Sequence, residues 1–164
     1  MPIPRLLQRA RGLEPARGVV PVLRDCRSCR VGGDDMNIGL VDVDGHNYPN
    51  LALMKLSAWH KNCGHSVEFA DMFGQYDVLY ASKVFSWSAD DEYCYATRDT
   101  KRGGTGYNFN TLPDEIEHAC PDYELYHCTS AYGFLTRGCP NKCSWCFVPD
   151  KEGDIRPHAE IDEF

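Results

Sequence analysis

The stretch MNIGLVDVDGHNYPNLALMKLSAWHKNCGHSVEFA, residues 36–70, decides the fold. Residues 36–43 form a β-rich apolar run, and so short an apolar run reads as a strand buried on both faces. A polar loop over residues 42–49 follows at its C-terminal end. Asn50 is a good N-cap, because its side-chain oxygen can take an unpaired N–H of the first helical turn. The helix it opens carries Leu51, Met54, Leu56 and Trp59. Gly64 supplies the left-handed residue that ends a helix, and residues 65–70 read as a second short strand. Strand, loop, helix and strand make a βαβ unit of the doubly wound type. The expected fold class is therefore α/β, a Rossmann-like domain with a mostly parallel sheet.

Downstream, a third strand is expected over residues 77–82, in a pattern that can run on through 87. Residues 88–102 hold only a weak pattern, with room for a half-turn or an edge strand. GGTGY, residues 103–107, is a glycine-rich turn whose plain reading is a strand-to-loop turn needing positive φ. Residues 112–118, LPDEIEH, suit a short helix; the acids of 114–117 favour its N-terminus and need no catalytic role. A Pro- and Tyr-rich connector, 121–126, leads to the apolar run AYGFLT, residues 131–136, which reads as a buried strand. Residues 147–153 form a polar turn, and 161–164 open a helix.

The arm 1–35 differs from the rest. It holds four prolines, lacks sustained periodicity and carries seven Arg against four acids, a net 7 − 4 = +3. The remainder holds ten Lys and Arg against twenty acids, 10 − 20 = −10. Cys26 and Cys29 form a C-x2-C pair, half of a zinc site or a redox pair, yet no second half and no surrounding βαβ unit is evident. The arm reads as disordered with two incidental cysteines, and Met36, followed at once by a strand, is an alternative start.

Composition bounds the function. A chain of 164 residues with 43% hydrophobic and 25% charged residues is that of an ordinary globular protein. Its apolar runs are far too short for a membrane span. A net charge of −7 argues against nonspecific binding to nucleic acid or membrane surfaces. Nine cysteines without a signal-peptide h-region favour a reducing cytoplasm with free or ligating thiols over a disulfide framework. Neither a P-loop, nor G-x-S-x-G, nor H-E-x-x-H is present, so NTPase and hydrolase readings have no support. His60 and His65 flank Cys63 at what reads as a solvated helix end.

The densest chemistry lies in RGCPNKCSWC, residues 137–146. Cys139, Cys143 and Cys146 stand in C-x3-C-x2-C spacing, with Trp145 directly before the third. Three thiolates on one loop can cap three corners of an iron–sulfur cube and leave the fourth iron open. The plainer alternative is a zinc site completed by Cys128 or His158, although zinc knuckles usually come in pairs.

With Trp145 and the preceding strand, this loop resembles the cluster loop of the radical S-adenosylmethionine superfamily. The resemblance implies that Cys139, Cys143 and Cys146 hold a [4Fe–4S] cluster and that Trp145 lies beside the bound cofactor. S-adenosylmethionine would bind the open iron through its amino and carboxylate groups. An electron from a donor such as flavodoxin or ferredoxin would then cleave the sulfonium to a 5′-deoxyadenosyl radical, acting on an unknown substrate. Residues 36–128 resemble the cobalamin-binding-like domain that precedes the barrel in one branch of that superfamily. Its cobalt-ligand pattern, D-x-H-x-x-G, is met here by Asp44 and His46, but Pro49 stands where the glycine would be. Pro cannot give the close backbone approach to a corrin that glycine allows. The plain reading is a polar loop whose Asp44 and His46 cap the following helix. The organisation expected is an arm at 1–35, a cobalamin-binding-like α/β domain at 36–128, and at 129–164 the first strand and cluster loop of an incomplete (β/α) barrel. A chain so truncated is expected to bind a cluster poorly and to show little activity. The alternative from another class is a non-catalytic metal- or cobalamin-binding α/β module.

Overall fold

The computed structural model describes residues 35–45, 48–90 and 95–164. Most of the N-terminal arm, with Cys26 and Cys29, and His46 lie outside the described residues. Strands β1 (Asn37–Asp42), β2 (Ser66–Phe69), β3 (Gln75–Ser82) and β4 (Ala96–Gly103) form one sheet in the order β2-β1-β3-β4. Every pairing in it is parallel. The expected α/β class and parallel sheet are thus present, consistent with a Rossmann-like arrangement. The helix α1 (Leu51–Asn62) links β1 to β2. Asn50 caps it, accepting from the Leu53 N–H at 3.4 Å, and Gly64 at φ +89° follows its C-terminus.

The four central residues of β1, 38–41, are all buried, as a strand covered on both faces requires. On one face Ile38 and Leu40 pack with Leu53 and Leu56 of α1 and with Ile116 of the short helix α2 (Asp114–Glu117). On the other, Val41 packs with Tyr76, Leu79, Ala81 and Ala70. That second face has an unusual cover. Parallel strands on either side of β1 usually need a helical crossover of a dozen or more residues, yet only residues 70–74 lie between β2 and β3. The six Cα steps from Phe69 to Gln75 reach about 21 Å when extended. The return spans about five residue rises along the sheet and two strand spacings across it, about 19 Å in all. The connection is therefore a short strap, turned where Asp71 Oδ1 accepts from the N–H groups of Phe73 (2.7 Å) and Gly74 (2.8 Å). The Tyr76 ring lies against Gly39, where an added Cβ would stand 2.9 Å from the ring and 2.7 Å from Leu79.

Three expectations change and one left open is resolved. Strand β3 ends at Ser82 and does not continue to 87, because the chain turns at 86–88. Of the two readings open for 88–102 the edge strand is the one present, as β4; Arg98, Asp99, Lys101 and Arg102 place charge along this exposed edge, which disfavours pairing with another chain. The run 131–136 is exposed along its length rather than a buried strand. Only Thr136 enters regular structure, in β5 (Thr136–Arg137), whose one partner among the described residues is the antiparallel β6 (Arg156–Pro157). A two-residue ladder cannot bury a flanking apolar run. The polar turn at 147–153 contains a helix, α3 (Val148–Glu152). Two 3₁₀ turns complete the structure, Tyr123–Tyr126 and Ile161–Glu163. Among the described residues no helix is long and apolar enough to cross a membrane.

Candidate functional site

In an open α/β sheet ligands favour the crevice beyond the carboxyl ends of strands that diverge in order. Here that point lies between β1 and β3, where Asp42 and Ser82 are register partners. The chain itself fills it. Tyr126, on the 3₁₀ turn, donates its hydroxyl to Asp42 Oδ2 at 2.6 Å, and its ring meets Phe69 edge-on. Burial, with the Asp42 carboxylate alongside, pushes the Tyr126 hydroxyl far above its ordinary pKa. Asn50 Nδ2 donates to Ser82 Oγ at 2.9 Å.

Asp44 caps the far side of this crevice. It accepts from the Val84 N–H and, at 2.5 Å, from the Ser88 hydroxyl, so its carboxylate holds the turn after β3. It does not cap α1; Asn50 does. Lys83, almost wholly buried, pairs with Asp90 Oδ1 at 2.7 Å and lies over the Tyr107 ring at 5.2 Å. Gly104, at φ +93°, lets the glycine-rich turn press onto it: an added Cβ would stand 2.3 Å from the Lys83 carbonyl oxygen.

The cysteine loop leaves and returns through the β5–β6 ladder. Gly138, at φ +84°, turns the chain against the Asp154 carbonyl, and the Cys139 N–H donates to the Gly153 carbonyl at 3.2 Å. A turn closes from the Cys146 N–H to the Cys143 carbonyl at 3.1 Å. Glu152, ending α3, accepts from the Gly138 N–H at 3.0 Å and from Arg137 at 3.3 Å. Lys151 Nζ reaches Thr105 Oγ1 at 3.1 Å, and Phe147 stacks on Phe109 at 5.9 Å, so α3 docks the loop on the glycine-rich turn.

Cys139, Cys143 and Cys146 are all free and half-buried. Trp145 points into solvent, 87% exposed. Among the described residues no three His, Cys, Asp or Glu side chains are gathered as a metal site. The donor chemistry of the loop suits a cluster, while its conformation is not preformed. His158, one candidate for a fourth zinc ligand, is turned instead to Glu117 Oε1 at 3.0 Å. Cys128, the other, is free and half-buried.

Two features escape sequence reasoning. His60 is buried, not solvated: it is 2% exposed, its Nε2 meets the Tyr80 hydroxyl at 3.0 Å, and burial followed by the charges of His65 and Lys101 lowers its pKa from 6.5 to about 4. Cys63 beside it is disulfide-bonded, whereas thiols were expected. The second is Glu117. Its Oε1 receives Arg137 at 2.7 Å, His158 at 3.0 Å and the buried Lys55 at 3.3 Å. Burial would raise its pKa, but the Arg137 hydrogen bond and the Lys55 and Arg137 charges outweigh that and hold it below the usual range. Its position in a run of acids gave no sign of this. The only clue was Lys55, a lysine between apolar helix positions.

Comparison with protein-family models, with curated proteins and with solved structures gives no match.

Proposed function

We propose that the chain is a radical S-adenosylmethionine protein, with Cys139, Cys143 and Cys146 holding a [4Fe–4S] cluster. The observation that carries the reading is three free, half-buried thiols in C-x3-C-x2-C spacing on one loop closed by its own ladder. Three ligands from one loop leave one iron of a cube unligated by protein. When bound, the cluster supplies the electron that cleaves S-adenosylmethionine, drawn from a flavodoxin- or ferredoxin-type donor.

The chain's own residues prepare that site. Gly138 and Glu152 set the loop's entry, and α3 anchors its exit to the α/β domain. Trp145 offers an exposed ring directly before the third thiol, suited to cover a bound cofactor. Cobalamin is not part of the proposal. The resemblance would give Asp44 the part of fixing a lower-ligand histidine's ring, and Asp44 accepts from Val84 and Ser88.

The test is the electron paramagnetic resonance spectrum of the anaerobically reconstituted, dithionite-reduced protein, with and without S-adenosylmethionine. A cluster with an open iron gives a signal that shifts on addition. An iron-loaded protein whose signal does not move would overturn the reading.

A further inference from the structure

We propose that Glu117 is the positioning residue of the cysteine loop, one carboxylate that ties both of its limbs to the α/β domain. Arg137 immediately precedes the loop and His158 immediately follows the ladder that closes it. Both donate to the same oxygen, Glu117 Oε1, at 2.7 and 3.0 Å. The same oxygen also meets Lys55 Nζ at 3.3 Å, and Lys55 donates to the Glu117 backbone carbonyl as well. Lys55 lies in the middle of α1 with its side chain 3% exposed, so it cannot follow the loop outward. Glu152 completes the group, bonded to Arg137 and to the Gly138 N–H.

The formal charges of the two cations and two carboxylates balance: Lys55 and Arg137 against Glu117 and Glu152. A compact, hydrogen-bonded and neutral group of this kind has few alternative arrangements, since moving either limb strands a poorly solvated charge. The ladder β5–β6 is only two residues long on each side and is too short to fix the loop alone. The placement of Cys139, two residues after Arg137, therefore draws on Glu117 together with Glu152. Arg is suited to this place because its planar fork spans Glu117 and Glu152 at once, which an ammonium cannot do.

The inference rests on the cluster reading for its consequence at the metal, but not for the latch itself, and the experiment separates the two. In the full-length chain, Glu117→Gln is compared with wild type and with His158→Ala, which loosens one limb without stranding Lys55. Amide exchange over residues 136–158 is read without metal. Chelator-driven iron loss and cluster potential are read after anaerobic reconstitution. Exchange of the loop is expected to quicken about tenfold in Glu117→Gln and less in His158→Ala, with the sheet amides of β1 and β3 unchanged. Iron loss quickens in the same order, the potential rises as a negative charge beside Arg137 is removed, and Glu117→Asp restores part of each. Unchanged loop exchange in both variants overturns the latch. Faster loop exchange in a protein that never takes up iron supports the latch and removes the cluster reading.

Discussion

His60 shows how a single side chain can make this fold sensitive to acid. It is buried and neutral, and its folded pKa of about 4 lies below the 6.5 of the unfolded chain. The unfolded state therefore binds the extra proton first. His60 contributes its full stabilisation above pH 6.5 and loses it as pH falls toward 4, an amount of order 3 kcal/mol from the linkage of pKa to stability. Urea midpoints should fall between pH 7 and 4.5 in the wild type, and His60→Gln should flatten that fall. An equal slope in both proteins would assign the acid loss to other groups. Tyr126 contributes in another way, through its hydrogen bond to the Asp42 carboxylate. Tyr126→Phe removes the donor to Asp42 and should cost about 1.5–3 kcal/mol, the range for a hydrogen bond to a charged group. Neither residue could be ranked from the sequence, because each owes its role to a partner far along the chain, Tyr80 for His60 and Asp42 for Tyr126.

Among the elements, β1, α1 and β2 were legible because each obeys its own period and carries its own punctuation: Asn50 at the start of the helix and Gly64 at its end. The buried face of α1 was only half legible. Met54 and Leu56 follow the apolar pattern, but Lys55 and Ser57 are buried too, by Glu117 and Asp122. Apolar periodicity cannot reveal a polar seam whose other half lies some sixty residues away. Strand β4 was seen only as room for an edge strand, since an edge needs charge more than alternation. Run 131–136 misled in the opposite sense, being apolar without an element to bury it. The strap between β2 and β3 yields a sharp prediction. Gly39→Ala places a methyl group against Tyr76 and Leu79 and should cost about 1–3 kcal/mol through overpacking. Thermal unfolding followed by circular dichroism checks this, and a fully tolerated alanine would show that the Tyr76 ring can move aside.

Taken whole, the molecule is a parallel α/β sheet with its switch-point crevice filled by its own side chains and a cysteine loop docked at one side. The sheet positions Lys55 and the glycine-rich turn, and these hold the loop from two directions, through Glu117 and through α3. The spacing of Cys139, Cys143 and Cys146 was fully legible in the sequence, while the residues that place them were not. A ligand motif is local in the chain, whereas its support comes from α1, α2, α3 and His158. The central claim is that this loop binds iron as a cluster. Its most direct measurement is iron, acid-labile sulfide and zinc per chain after anaerobic reconstitution, in the wild type and in Cys143→Ala. A cluster on this loop requires iron and sulfide in equal amounts, up to about four of each per wild-type chain as for a single [4Fe–4S] cube, and their loss in Cys143→Ala. About one zinc per chain, with no iron, would contradict it.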